Sequence, residues 1–449
     1  MNIVTTRQRR ALGALVLSAA CASSAAAQAG PRYYAGRVTF RGDDLPVRVT
    51  VLDSAGKRTA RLDLPTMGMA GEPLEVVPGA EPLAVRMPFE LGTFRLAAHG
   101  DTLACDTVYQ TRGGPQMMRM VLVPGTPPPY RETEVTFASA GGVRIAGTLT
   151  LPDGPGPHPA VVLVPACCGD GRGNWAYRSW ADWFARHGYA ALAYDKRGTG
   201  SSTGDWQADS AFAGLADDVV AAADFLRERP EVDGTRIGLS GGSQAGWVIP
   251  LAAPRVHGLS FVVLRSPPAA SPGVVEAQSV EARMRAAGAS SDGIADALAH
   301  LGLFFYATHS GRGWSELRAS VRANRARGWA EFVPMPDSAA QMGWWARHAD
   351  FDAIPGLRAL KVPVLALFGA DDVRVPPGMN AERLRQAVAD GGNSQVRMRI
   401  FPHADHRIEV KPGYDDAGAW HWFRLAPGML EAMEEWLAAY APATPPPGR

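Results

Sequence analysis

The sequence predicts an α/β protein, in which a doubly wound, mostly parallel sheet carries a helical insertion and follows a small all-β domain. Three observations carry this expectation. Apolar strand-like runs at Ala160–Val164, Ile237–Leu239 and Val362–Phe368 stand between helical patterns. A Gly-rich knot around Ser243 joins one of those strands directly to a small-residue helix over Trp247–Ala253. Residues 31 to about 124 read instead as short alternating runs broken by turn residues, the grammar of hairpins.

In chain order, the first segment reads as an export signal over residues 1–29. Arg7, Arg9 and Arg10 form a positive start, Ala11–Ala20 a short apolar core, and Ala25–Ala27 a small-residue cleavage site before Gln28. The expected destination is the periplasm or the exterior. Cys21 offers a weaker lipoprotein reading, because the usual leucine three residues earlier is missing. Residues 30–124 then form the all-β unit, a sandwich or a barrel. Val47–Val51 alternates with period two, Asp53–Gly56 turns, and Arg61–Leu64 continues. Residues 125–130, rich in proline, read as a stiff linker.

The catalytic unit is expected over 131–266 and 359–441. Within it, Ile237–Leu239 runs into Ser243, and Gly241, Ala245 and Gly246 supply the small neighbours a strained strand–turn–helix elbow needs. The strict pattern is G-x-S-x-G, and Ala245 is its one departure. An activated serine needs a base, an acid that orients the base, and donors for an oxyanion. The acid candidates are the adjacent Asp371 and Asp372, just past the strand that ends at Gly369. The base candidates are His403 and His406, in the loop after the strand at Arg397–Phe401. Both loops follow the C-terminal ends of strands, where open α/β sheets place their chemistry. Spacing alone leaves both pairs open. One oxyanion donor is expected from the N–H of Gln244, the residue after the nucleophile.

These segments together resemble a secreted bacterial α/β-hydrolase of the dienelactone-hydrolase and prolyl-oligopeptidase-like group. Gly147–Pro152 with Pro157–Val164 resembles the strands that open such a domain. Tyr194–Gly204 resembles its D-x-R-G-x-G-x-S turn, and Asp217–Ile237 the helix and strand leading to the elbow. Leu62–Met69 resembles part of the β domain that often precedes these enzymes. Gly369–Pro376 matches a G-x-x-D-x-x-V-P acid loop, which implies Asp372, and Pro402–His406 matches a P-x-x-x-H base loop, which implies His406. Relatives usually carry His-Gly after the first parallel strand. Pro165 and Ala166 stand there instead, which implies Cys167 as the second oxyanion donor. The resemblance implies a serine hydrolase that cleaves small-molecule carboxylic esters through Ser243, Asp372 and His406, with no cofactor and no metal. A peptidase or amidase with the same triad, or a non-catalytic binding protein on this fold, are the alternatives.

Residues 267–358 interrupt the alternation with helical patterns at Val274–Ala287 and Ile294–Tyr306, and they are rich in aromatics. They are expected to cap the site, with Trp344 and Trp345 as candidates to face the acyl pocket and the remaining aromatics packing the insertion itself. Residues 442–449 read as a disordered tail. Vicinal Cys167 and Cys168 lack the spacing and histidines of a zinc site, and with Cys105 they leave an odd number of cysteines after the leader. A formal net charge of +1 over 449 residues points to neither nucleic acid nor an anionic membrane as partner. Nothing in the sequence speaks to oligomeric state.

Overall fold

The computed structural model describes residues 30–443, apart from 55–56, 81, 89–91, 112–113, 168–170 and 416. The expected export signal and most of the expected tail lie outside the described residues, as does Cys168.

Eight antiparallel strands close into a barrel: β1 (Arg32–Phe40), β2 (Asp43–Ser54), β3 (Lys57–Leu64), β4 (Met69–Val76), β5 (Leu83–Met87), β6 (Gly92–His99), β7 (Thr102–Thr111) and β8 (Gly114–Pro124). β1 pairs with both β2 and β8, which closes the ring and leaves no open edge. Alternation decides what faces inward. Val47, Val49 and Val51 are buried in the barrel core with Val38, Phe40, Leu62 and Met120, while their sequence neighbours face outward. Of the sandwich and the barrel, the chain forms the barrel.

The second sheet has the order β16-β15-β14-β13-β11-β12-β10-β9. Its strands are β9 (Tyr130–Ser139), β10 (Val143–Pro152), β11 (His158–Val164), β12 (Ala190–Tyr194), β13 (Val232–Gly242), β14 (Leu259–Arg265), β15 (Val364–Gly369) and β16 (Val396–Phe401). The pairs from β12 through β16 are parallel, and β9 and β10 complete the sheet antiparallel. β9 begins at Tyr130, inside the stretch expected to be linker.

The central strands are apolar without a break because both faces are covered. Val162, Leu239, Leu264, Ala366 and Phe368 face α2 (Ala213–Arg227), α3 (Ala245–Ala252), α8 (Ile354–Ala359) and α9 (Pro377–Asp390). Val161, Leu163, Val263, Leu365 and Leu367 face α1 (Trp175–Arg186) and α10 (Met429–Tyr440). This is an α/β-hydrolase architecture behind an all-β domain.

Between β14 and β15 the insertion forms α4 (Pro272–Ala286), α5 (Ser291–Ser310), α6 (Trp314–Asn324) and α7 (Gly343–His348). It has a core of its own, built on Val280, Met284, Leu301, Phe304, Leu317 and Trp329.

The barrel and the sheet domain are joined through both polar and apolar contacts. Arg48 of β2 pairs with the nearly buried Asp182 of α1 at 2.8 Å, and Asp182 also accepts from Tyr130 Oη at 2.7 Å and Arg186 Nε at 2.8 Å. From the far end of the chain, Trp422 enters the barrel core, its ring 4.9 Å from that of Phe40. Its backbone N–H donates to Asp43 Oδ2 at 3.0 Å.

Candidate active site

β13 delivers Ser243 to the C-terminal edge of the parallel sheet. Its φ of 52° is the left-handed conformation a residue with a side chain rarely adopts. Local bonds hold it there. The Ser243 N–H donates to Arg265 O at 2.9 Å, and the Ser243 carbonyl accepts from Gly246 N at 2.7 Å, which starts α3. A side chain at Gly241 would overlap the Ala245 methyl, so the small residues expected from the sequence are what the turn requires.

The two ambiguous pairs separate on burial. Asp372 is 3% exposed, whereas Asp371 lies at the surface. Asp372 Oδ1 accepts from the N–H groups of Arg374 and Val375 at 2.8 and 2.9 Å, and its Oδ2 accepts from His406 Nδ1 at 2.8 Å. His403 is exposed and sits at the left-handed bend of the same loop, with φ 59°. The loops that carry Asp372 and His406 meet at Gly369, where a Cβ would overlap the carbonyl oxygens of Ala404 and Asp405. Asp371 contributes its backbone there, donating to Ala404 O at 2.9 Å.

Ser243 and His406 share one cleft of about 300 Å³. Ala166, Cys167 and Gly242 edge it, Trp175, Tyr177 and Trp180 form an aromatic wall, and Arg265, Arg407 and Glu409 bring charge. Gly68 of the barrel and Leu425 close it from the other side. Gln244 is buried, and among the described residues its N–H donates to no group. Cys167 lines the cleft, half-buried. The structure therefore gathers Ser243, His406, Asp372, Gln244 and Cys167 around one edge of the sheet.

Trp344 and Trp345 are not among the walls of this cleft. Trp344 stacks on His348 at 4.6 Å and meets Phe212, which itself stacks on Trp247. Trp345 packs edge-on against Phe304 and Phe305 inside the insertion. Aromatic self-association satisfies both rings away from the serine. The wall facing the serine comes from α1 and from the barrel, which periodicity in the insertion could not reveal.

Two basic residues escaped the sequence reading. Lys196 is 1% exposed. Its Nζ donates to Ala166 O and, at 2.8 Å, to Gln244 Oε1, and lies 5.2 Å from the Trp206 ring centre. It thus ties together the residues bearing both expected oxyanion donors or their neighbours. Its place in the D-x-R-G turn was a signal, because a lysine there follows a strand end directly. The flanking charges of that turn have other duties: Asp195 holds Arg172 at 3.2 Å, and Arg197 grips Asp218 with two bonds of 2.8 Å. The second residue is Arg265, at the end of β14, where nothing in the sequence distinguishes it from a surface arginine.

Glu409 is 3% exposed, and burial pushes its carboxyl up to about 7 despite the Arg407 Nε at 2.7 Å. Burial outweighs this ion pair because the Arg407 side chain remains about half exposed and its charge is screened. Among the described residues, no three His, Cys, Asp or Glu side chains are grouped to hold a metal ion.

Solved structures similar to this chain include an esterase from Pyrococcus furiosus, at 15% identity over 69% of this chain and 92% of that one, with a TM-score of 0.43. Acetyl xylan esterase 1 from Thermoanaerobacterium sp. matches at 17% identity over 75% of this chain and 88% of its own, with a TM-score of 0.42. An alpha/beta hydrolase from Penicillium sp. matches at 17% identity over 69% and 99%, with a TM-score of 0.44. Likenesses at this level bear on neither substrate nor partner. Residues 141–379, more than half of the chain, match the X-Pro dipeptidyl-peptidase (S15 family). That span runs from β10 through the elbow and the acid loop, and on it this chain belongs to the X-Pro dipeptidyl-peptidase (S15) family of hydrolases.

Proposed function

We propose that this hydrolase cleaves carboxylic esters by two-step acyl transfer through Ser243. The observation that carries the reading is Ser243, strained at φ 52°, in one cleft with His406, whose Nδ1 is held by the buried Asp372. Ser243 Oγ bonds to the ester carbonyl carbon as its proton passes to His406 Nε2. The carbonyl oxygen becomes an oxyanion and takes hydrogen bonds from the N–H groups of Gln244 and Cys167. Collapse breaks the bond to the leaving alcohol, which departs with the proton from His406. Water then gives its proton to His406 and attacks the acyl-enzyme, and Ser243 leaves with that proton restored. Asp372 stabilises the imidazolium in both halves.

The family's description favours a second reading, a peptidase working with the same three residues. A free peptide amine needs a carboxylate to receive it. Among the described residues lining the cleft the acid is Glu409, which is engaged by Arg407 at 2.7 Å, and this weighs toward esters. A fluorophosphonate probe should label the wild-type protein and not Ser243→Ala. Turnover of p-nitrophenyl acetate against aminoacyl-p-nitroanilides then separates the two readings. Anilide turnover well above ester turnover selects the peptidase, and no labelling at Ser243 ends both.

A further inference from the structure

We propose that Arg265 is an anion subsite in this cleft, and that the enzyme's preferred esters carry a carboxylate that docks on its guanidinium. The proposal rests on the ester reading above and names the class of substrate within it.

Arg265 ends β14, and its carbonyl already anchors the Ser243 N–H at 2.9 Å, so the side chain starts beside the nucleophile. It is 9% exposed and lines the same cleft as Ser243 and His406. Its Nη1 donates to the buried Ser240 Oγ at 2.9 Å, and the guanidinium lies 4.2 Å from the ring centre of Trp180, another wall of the cleft. Those two contacts fix its orientation. Neither neutralises it, and among the described residues no carboxylate forms an ion pair with it.

The other basic side chains at the cleft each have an acid beside them. Arg407 pairs with Glu409 at 2.7 Å, and His406 with Asp372 at 2.8 Å. Arg265 is therefore the one cation among the described cleft residues with no acid of its own. Burial lowers its pKa to about 10, which leaves it charged at neutral pH. An unpaired buried charge is strongly unfavourable. It is explained if a ligand supplies the missing anion, and a planar guanidinium is matched by a carboxylate through paired hydrogen bonds. The aromatic wall of Trp175, Tyr177 and Trp180 would take the apolar stem between ester and acid. A phosphate monoester matches the fork as well but brings nearly two negative charges to the single one on Arg265, and a carboxylate is the anion we assign.

The test compares esters matched in size. One arm sets 4-nitrophenyl hydrogen glutarate against 4-nitrophenyl pentanoate, placing the charge on the acyl side. The other sets 4-carboxyphenyl acetate against 4-carbamoylphenyl acetate, placing it on the alcohol side. The wild-type kcat/KM should favour the charged ester by roughly 10–100-fold in one arm, the range expected of a charged hydrogen bond. Arg265→Met should erase most of that ratio through KM, and Arg265→Lys should keep part of it. No preference in either arm, or an equal fall of charged and neutral esters in Arg265→Met, overturns the proposal. A purely structural role for Arg265 predicts that equal fall. Glutarate binding to Ser243→Ala, measured by calorimetry, needs no turnover and survives failure of the ester reading. Binding lost in Ser243→Ala/Arg265→Met supports the subsite even if no ester is cleaved, and absence of glutarate binding alongside inert esters rejects it. Should Arg265→Met not fold, competition on the wild-type protein decides: glutarate should protect Ser243 from the fluorophosphonate probe and glutaramide should not, and equal protection rejects the subsite.

Discussion

Each pair of like residues divides into a buried or half-buried member, Asp372 or His406, that bonds to the other, and an exposed one. Asp372 holds two loop amides and His406, so it has a defined orientation, while Asp371 offers only its backbone to Ala404. We expect Asp372→Asn and His406→Ala to lower kcat on p-nitrophenyl acetate by roughly 10³–10⁶-fold, as loss of a triad member does. Asp371→Asn and His403→Ala should stay within about threefold, because surface changes away from the site rarely exceed about 0.5 kcal/mol. The reverse ranking would reassign both roles. Glu409 gives a pH-dependent prediction. Its folded pKa, about 7, lies above the ordinary carboxylate value, so the folded protein holds this proton over a range where the unfolded chain has lost it. Its contribution to stability is therefore full below the ordinary carboxylate range and is lost as pH rises through about 7. Glu409→Gln removes that dependence. The melting temperature of the variant relative to wild type should rise by about 2–4 °C between pH 5 and pH 8. A difference that stays constant with pH would mean that Glu409 is ionised throughout.

At the scale of elements, the site depends on how closely two loops approach. β15 and β16 lie side by side, and each ends in a loop with one chemical residue. The loops touch because Gly369 has no side chain to keep Ala404 and Asp405 away. Gly369→Ala forces backbone to move, since the obstructing atoms are carbonyl oxygens rather than side-chain tips. Overpacking of this kind costs about 1–3 kcal/mol. Because the displaced loop carries His406, kcat should fall at least about tenfold beyond what any loss of folded protein explains. Measuring kcat per labelled active site separates the two effects, and an unchanged value per site would show that the loops tolerate the separation.

At the scale of the molecule, the barrel helps build the cleft that the sheet domain presents. Gly68 and Leu425 sit together at its mouth, and the segment bearing Leu425 also sends Trp422 into the barrel core. The two domains therefore share apolar contacts, Trp422 and Trp420 among them, as well as the Arg48–Asp182 pair. Trp422→Ala should remove about 3–5 kcal/mol, the usual cost of emptying a large aromatic site. We expect calorimetry to show a barrel transition that falls in temperature and separates from that of the sheet domain. A single transition at the wild-type temperature would mean that the barrel is stable without this plug.

Legible in the chain alone were the strand–turn–helix at Ser243, the order of the loops that carry Asp372 and His406, and the all-β unit before them. Each depends on local rules: small residues in a strained turn, period-two alternation, and apolar runs that end where a parallel strand ends. It also placed a helical insertion between β14 and β15, which residue pattern alone can indicate. Tertiary structure decided whatever depends on residues distant in the chain. Asp371 and Asp372 look alike in sequence, and only the approach of the loop at 402–408 buries one of them. Trp344 is a candidate pocket wall until Phe212, itself stacked on Trp247, meets it from elsewhere in the chain. Arg265 reads as an ordinary strand-end arginine, and its character comes from Ser240, from Trp180 and from having no carboxylate partner among the described residues. Local preference is written in neighbours along the chain, whereas desolvation and charge pairing are set by neighbours in space.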